Sequence, residues 1–396
     1  MSWPNNITPE ENKVIEQLKK RTINDLTPKL LEDESLFYRF CKARDFVLED
    51  AEAMLRKHLV WRKELRIDTI LTEHKPLEVF NYAATSFIGF DKEGLLVRYF
   101  DFGNADFKGL FNSAKKNDVL LFSIVTFEQD IELMKEHSKK LGKPITQAIH
   151  IINFENLTFS QATNKKALEV GMLYMKTFQD NYPERVKFLY HINASYYYTL
   201  TMAVVRTVIA SPVFQKIKVF GSEGWKEDFL ELIDADVLPA FLGGNRTDPD
   251  GDPMCRSFIC HGGKIPEKYY LSNYEKKLSK AEGVEKFTVT RFSKQERKFE
   301  IKHIGSDLEW EFETKNKDIG FALYFKDKES SKESKGIELV PKQRIDTCYE
   351  PEKGLFKCQK VGTYTLVFDN SYSWIHSKEV YFRARIKIPK DDENHQ

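Results

Sequence analysis

The chain has 396 residues, 41% hydrophobic and 31% charged, which fits two or three folded domains and argues against a disordered chain. Lys+Arg 61 against Asp+Glu 60 leaves a formal charge of +1, so nonspecific nucleic-acid binding has no global electrostatic support. No run approaches the ~18 apolar residues of a membrane span; the nearest, Met202 to Phe214, is interrupted by Arg206, Thr207 and Pro212.

The chain starts Met1-Ser-Trp-Pro-Asn-Asn, without the charged start and apolar core of a secretory signal. Its five cysteines form an odd, scattered set that suits a reducing compartment, so the expected location is the cytosol. Residues 1–75 read as helical. Thr8-Pro9-Glu10-Glu11 offers an N-cap threonine, a proline for the first helical position and a glutamate to complete a capping box. Further on, Ala51, Met54, Leu55, Leu59 and Trp61 recur near helical spacing, with Glu52, Arg56, Lys57 and Arg62 between them.

From about residue 76 to 262 the texture becomes α/β. The runs 95–100, 148–153, 187–192 and 216–220 are short and β-rich, and longer helical stretches near 118–138, 161–180 and 197–210 separate them. Strands alternating with helices predict a mostly parallel sheet. Gly243-Gly244 and the turn-forming Asp248-Pro-Asp-Gly-Asp-Pro253 mark its end, and 263–283 reads as a polar linker. Over 284–390 the period is two: Leu308, Trp310 and Phe312, then Tyr364, Leu366 and Phe368, alternate with polar residues. Val380, Phe382, Ala384, Ile386 and Ile388 are predicted to face inward, opposite Tyr381, Arg383, Arg385 and Lys387. This pattern predicts an antiparallel β-sandwich, with Lys326–Lys335 as a mobile loop tip.

Chemistry-bearing motifs are scarce. There is no nucleophile elbow, P-loop, metalloprotease helix or dinucleotide fingerprint. The glycine of Asp248-Pro-Asp-Gly-Asp falls too early for a calcium loop, so it reads as a plain turn. Cys255, Cys260 and His261 lack a second ligand pair for zinc, and Cys348 and Cys358 read as thiols of the β domain. His58, His150 and His191 read as core or pocket-lining residues rather than catalytic bases. Most of the lysine clusters (Lys19-Lys20-Arg21, Lys115-Lys116, Lys139-Lys140, Lys165-Lys166) read as solvated helix faces, with docking to anionic membrane as the alternative. No cofactor or metal is expected, and no enzyme activity.

Several segments carry a family resemblance. Leu36–Phe46 and Ala51–His58 resemble the N-terminal helices of the CRAL-TRIO (Sec-fourteen-like) lipid-binding family. Asn181-Tyr-Pro-Glu-Arg185 is similar to its tyrosine-proline-glutamate motif, and Leu238–Gly244 to its C-terminal strand and glycine pair. Residues 248–270, Trp310–Phe312, Asp318–Phe321 and Phe368–Trp374 resemble the GOLD half of the animal subfamily that includes supernatant protein factor. The resemblance implies a helical N-terminal region, a CRAL-TRIO pocket domain and a GOLD-like β-sandwich.

It also implies a mechanism. Such a domain holds one lipid or other long hydrophobe between its sheet and a mobile gate helix, then exchanges it while docked transiently on a membrane. The gate corresponds to residues 196–210, with Tyr197, Leu200, Met202, Val204, Val205, Val208 and Ile209 as candidate ligand contacts. From periodicity alone, an ordinary core helix remains open for this segment. The phosphatidylinositol-transfer members contact the inositol phosphate through residues matched here by Glu184, Arg185 and Lys216. Val213 stands where those members have threonine, which removes a hydroxyl, and Glu184-Arg185 also reads as a solvent-facing pair at a strand entrance. The alternative function is a ligand-sensing adaptor whose GOLD-like domain recruits a protein partner. The cargo itself is not legible.

Overall fold

The structure is a computed structural model and describes residues 7–271, 278–315, 318–327, 336–347 and 351–389. It divides into two compact units, Met1–Tyr269 and Tyr270–Gln396.

The first unit begins with short helices α1 (Pro9–Thr22), α2 (Pro28–Leu31), α3 (Leu36–Lys42), α4 (Leu48–Glu64) and α5 (Ile70–Glu73). Helix α1 starts where its capping box requires: the Thr8 hydroxyl accepts from the Glu11 N–H at 3.2 Å, and the Glu11 carboxylate accepts from the Thr8 N–H at 2.9 Å. Leu18, Leu36, Phe40, Ala51 and Leu55 form the shared core of α1, α3 and α4. On α4 the buried face also takes in His58 and Arg62, so Arg62 is not one of the solvent-side charges its sequence context suggests.

The α/β part has strands β1 (Thr85–Phe90), β2 (Leu96–Asp101), β3 (Ala148–Asn153), β4 (Val186–Ile192) and β5 (Ile217–Val219), lying side by side in chain order. Strand β1, which the sequence reading passed over, pairs antiparallel to β2 at the sheet edge; the other neighbours are parallel. The connections hold α6 (Phe107–Ser113), α7 (Lys116–Leu141), α8 (Phe159–Ala162), α9 (Lys165–Asn181), α10 (Tyr196–Val205) and α11 (Ser211–Phe214). Parallel strands that advance in one direction through right-handed crossovers put all their connecting helices on one face. That is where α7, α9 and α10 lie.

The other face is left for the chain after β5. Helix α12 (Trp225–Leu232) and the segment through Ile259 cover it, packing Trp225, Phe229, Leu238 and Ile259 against Tyr99, Ile149, Ile151 and Tyr190. Leu238–Gly244 is not a strand, as its family likeness implies, but a 3-10 turn over Ala240–Leu242. Pro239 has no N–H for a ladder, and Gly243 closes the turn at φ +95°. Residues beyond it continue the unit: Ile265 is buried and its N–H donates to Asp106 at 3.1 Å. Residues 272–277 of the expected linker lie outside the described residues.

Gly103 marks where β2 and β3 leave the sheet side by side. A Cβ there would sit 1.7 Å from the Glu155 carbonyl oxygen, a backbone atom that cannot rotate away. Gly103→Ala is therefore expected to cost about 1–3 kcal/mol, read as a lowered melting temperature.

The second unit is a β-sandwich. One sheet is ordered β10 (Ile337–Asp346), β9 (Asp318–Lys326), β12 (Gly362–Asp369), β7 (Lys294–Ile301). The other is β11 (Glu352–Lys357), β8 (Asp307–Thr314), β13 (Lys378–Lys387), β6 (Glu285–Val289), and all pairs are antiparallel. Phe312 and Phe382 from one sheet meet Phe321 and Phe368 from the other. The inward row on β13 stops at Ala384; Ile386 and Ile388 are exposed at the strand end, contrary to the alternation. Cys358 is buried in this core, whereas Cys348 and residues 328–335 of the expected loop tip lie outside the described residues.

Candidate ligand-binding chamber

The two faces of the first unit's sheet differ in how well they are filled. In register, Arg98 of β2 neighbours His150 of β3, and Phe100 neighbours Ile152. Leu189 and His191 of β4 follow in the same rows. These residues face α7, α9 and α10, while Ile149 and Ile151 point the opposite way into the packed core.

A central strand covered on both faces should be dry throughout. On the packed side it is: Ile149 is 1% exposed and Ile151 0%. On the helix side, His150 and Ile152 keep accessible surface, as do Arg98 and Phe100 beside them. The helices opposite repeat the pattern. Along α9 only Val170, Phe178 and Asn181 are fully buried, and Phe127 of α7 and Tyr174 of α9, stacked at 5.5 Å, also retain surface. His150 on the helix-facing side of β3 and Tyr174 on α9 are thus both half-buried in this layer. The layer between sheet and helices is therefore less completely buried than the packed side.

Helix α10 packs over the same face of the sheet. Tyr198 and Met202 are buried with Phe154, Leu157 and Ala162, and Leu200, Val205 and Ile152 pack around them. The Tyr198 hydroxyl lies 2.9 Å from His191 Nδ1. Tyr197 is exposed, with its ring edge on Phe159 at 6.2 Å, and Val204 is half-buried. The helix is shorter than its apolar rows predict. It stops at Val205, and Val208 and Ile209 lie in the following turn, so neither belongs to a helical face. Val204, Val205, Thr207, Val208 and Ile209 are β-branched, and Pro212 is the second residue of α11, four residues after Val208.

The three headgroup candidates separate into two settings. Arg185 is only 8% exposed, and its guanidinium pairs with Asp33 at 2.6 Å and donates to the Thr146 carbonyl at 3.2 Å. Asp33 also binds Arg39 at 2.5 Å. Burial opposes ionisation of Asp33, but the Arg185 and Arg39 charges outweigh it and hold the carboxyl well below the usual carboxylate range. Arg185 is thus a tie between the N-terminal helices and the sheet, not a solvent-facing partner of Glu184. Glu184, at φ +57°, instead lies between Lys216 at 3.2 Å and Lys42 at 3.7 Å. Lys42 was missed in the sequence because 142 residues separate it from Glu184. Val213 packs against the Phe178, Tyr182 and Leu189 cluster.

A second buried ionic group lies behind α7. Glu128 accepts from Arg62 at 2.9 Å, from the Tyr182 hydroxyl at 2.9 Å and pairs with Lys29 at 3.2 Å, while Arg62 also pairs with Asp68 at 2.6 Å. His58, beside it, bonds Asn181 at 3.1 Å; burial and the Arg62 charge lower its pKa to about 3. Elsewhere, Asp248 accepts from the Ser257 N–H at 2.9 Å, and Cys255 and Cys260 each lean on a backbone carbonyl.

Known proteins complete the picture. Residues 80–244 match the CRAL/TRIO domain and residues 13–57 the CRAL/TRIO N-terminal domain, together just over half of the chain. This chain belongs to the CRAL/TRIO family, whose members are lipid-binding carriers. Protein ctg-1 of Caenorhabditis elegans is 26% identical over 376 residues, covering 94% of this chain and 97% of that protein. Protein real-time of Aedes aegypti is 30% identical over 331 residues, and the chain spans about half its length. Among solved structures, that of Sfh5 shares the fold with a TM-score of 0.51 at 17% identity, covering 67% of this chain and 96% of Sfh5. Among the described residues, no helix is long and apolar enough to cross a membrane.

Proposed function

We propose that this CRAL/TRIO protein carries a single lipid or other long hydrophobe in the space between its sheet and α7, α9 and α10, and exchanges it at a membrane by displacing α10. The observation that carries the reading is the half-open middle strand, with His150 and Ile152 accessible in the centre of a covered sheet. Exposing an acyl methylene to water costs about 0.8 kcal/mol, so a long chain needs such a shield between bilayers. A lining as apolar as the membrane interior makes the exchange nearly neutral, and the protein acts on its rate.

Helix α10 suits a gate because its outer side is already apolar. Tyr196, Tyr197, Phe159 and Phe214 are exposed on α8, α10 and α11, and aromatic side chains of this kind settle at the bilayer interface. The protein would work from the cytoplasm as a transient peripheral membrane protein, without catalysing a reaction. Val205→Asp places a charge in the α10 cluster and is expected to slow vesicle-to-vesicle transfer of a fluorescent phospholipid at least tenfold. Unchanged transfer by a variant that still melts cooperatively would remove α10 from the mechanism.

A second reading is a ligand-sensing adaptor, in which the second unit serves as a GOLD-like domain that recruits a protein partner. It is favoured by the loop after β12, where Trp374 and Ile375 are 78% and 76% exposed and the Trp374 ring meets Phe292 at 5.5 Å. Lipid-loaded protein without measurable transfer would favour the adaptor.

A further inference from the structure

The chamber is not uniformly apolar, and its polar groups are unevenly satisfied. Arg98 of β2 reaches across to Asp130 of α7 through a two-pronged ion pair, one prong at 2.7 Å, and also approaches the Thr85 hydroxyl at 3.4 Å. Next to Arg98 in the sheet register stands His150, and Tyr174 of α9 lies within the electrostatic reach of both Arg98 and Asp130. Among the described residues, neither the His150 ring nitrogens nor the Tyr174 hydroxyl makes a hydrogen bond. By contrast His191, on the same face, is bonded to Tyr198, and Tyr182 is bonded to Glu128.

Enclosed polar groups without partners are rare, because each forfeits its hydrogen bonds to water on folding. Neither group is among the fully inaccessible orphans of the structure, such as the Trp225 indole N–H on the packed face. Both keep accessible surface in the layer between the sheet and the helices, His150 from β3 and Tyr174 from α9 against Phe127 of α7. We propose that His150 and Tyr174 form a recognition site for a neutral hydrogen-bonding group on the cargo, a hydroxyl or a carbonyl, so that the preferred ligand is a lipid alcohol or ester rather than a pure hydrocarbon or an anion. The inference rests on the carrier reading and narrows its cargo.

The charges select against an anion. The Arg98 guanidinium is already matched by Asp130, so the cluster has no net positive charge to offer, and a second carboxylate would face Asp130. Burial, reinforced by Arg98, lowers the His150 pKa to about 4, so the ring is neutral at physiological pH with one donor and one acceptor nitrogen. Burial also keeps the Tyr174 phenol protonated. A ligand hydroxyl can accept from or donate to either group, whereas an alkane can do neither.

The probes are three molecules with one branched C20 skeleton: phytol, the alkane phytane and phytanic acid. Each is offered in phosphatidylcholine vesicles to the full chain and to its Tyr174→Phe and His150→Leu variants, and the protein-bound fraction is measured after separation. Tyr174→Phe removes one atom and leaves the ring on Phe127, so it preserves the packing. The alcohol-to-alkane preference of wild type should fall about ten- to a hundredfold in either variant, through lost alcohol binding. Comparing variant with wild type cancels the bilayer's own preference. An unchanged ratio with both probes bound would overturn the polar site and leave the carrier reading standing. A wild-type preference for the acid that the variants abolish would overturn its neutral character. Failure of all three probes to bind wild type would take the chamber, and this site with it, away.

Discussion

Glu128→Ala should lower the stability of the first unit by about 3–5 kcal/mol, because it leaves the buried Arg62 guanidinium short of its counter-charge. At this size that is a fall of roughly 6–20 °C in melting temperature. The carboxylate serves three elements at once. It binds Arg62 from α4 and Lys29 from α2, and it accepts the Tyr182 hydroxyl just before β4. Asp68 still pairs with Arg62 in the variant, so part of the charge remains matched. Tyr182→Phe removes only one hydrogen bond and should cost about 1 kcal/mol. Thermal melts of both variants separate a network from a set of independent contacts. A Glu128→Ala protein within 1 kcal/mol of wild type would mean that Asp68 alone satisfies Arg62.

Acidification should destabilise the first unit as the pH falls below about 6.5. Burial, helped by the charge of Arg62, lowers His58 to about 3, and burial likewise lowers His150 and His191 to about 4. In the unfolded chain each returns to about 6.5. Between those values the unfolded state binds more protons than the native one, so stability is full above pH 6.5 and declines as the pH falls toward 4. Each proton contributes about 1.4 kcal/mol per pH unit. His261 acts in the opposite sense: its bond to Asp101 raises its pKa, which favours the native state as acid is added. The net slope should correspond to about two protons, on the order of 3 kcal/mol per pH unit around pH 5–6. Denaturant midpoints at pH 7, 6 and 5 give the slope directly. His150→Leu should reduce it by about one proton; a slope near zero in wild type would mean that these rings are hydrated.

Much of the fold is legible because local pattern and tertiary demand agree. The run Ala148–Asn153 is a strand residue for residue, and the capping box sets the start of α1. The period-two rows of β8 and β12 become sandwich core. Strand β1 was not legible, since Ser86 and Gly89 dilute its apolar pattern and the neighbouring β2 supplies its order. The gate helix is shorter than its hydrophobic spacing implies, because regular α-helical bonding gives way after Val205 to a turn in which the Thr207 and Val208 N–H groups donate three residues back. The apolar candidates on α10 nevertheless include Met202, Leu200 and Val205, which gather around Ile152. What sequence spacing cannot supply is the partner of a charge. Arg62 looks solvated beside Arg56 and Lys57 until Glu128, 66 residues away, is brought against it. The same holds for Arg185, whose motif suggests a headgroup contact and whose guanidinium is committed to Asp33.

A carrier must hold its lipid in the helix-side layer of the sheet. Native mass spectrometry of the intact chain, released gently and then denatured, weighs the occupant directly. The expected result is one lipid-sized mass adduct per chain that disappears on denaturation and returns after incubation with mixed-lipid vesicles. A bare polypeptide mass before and after that incubation would contradict it.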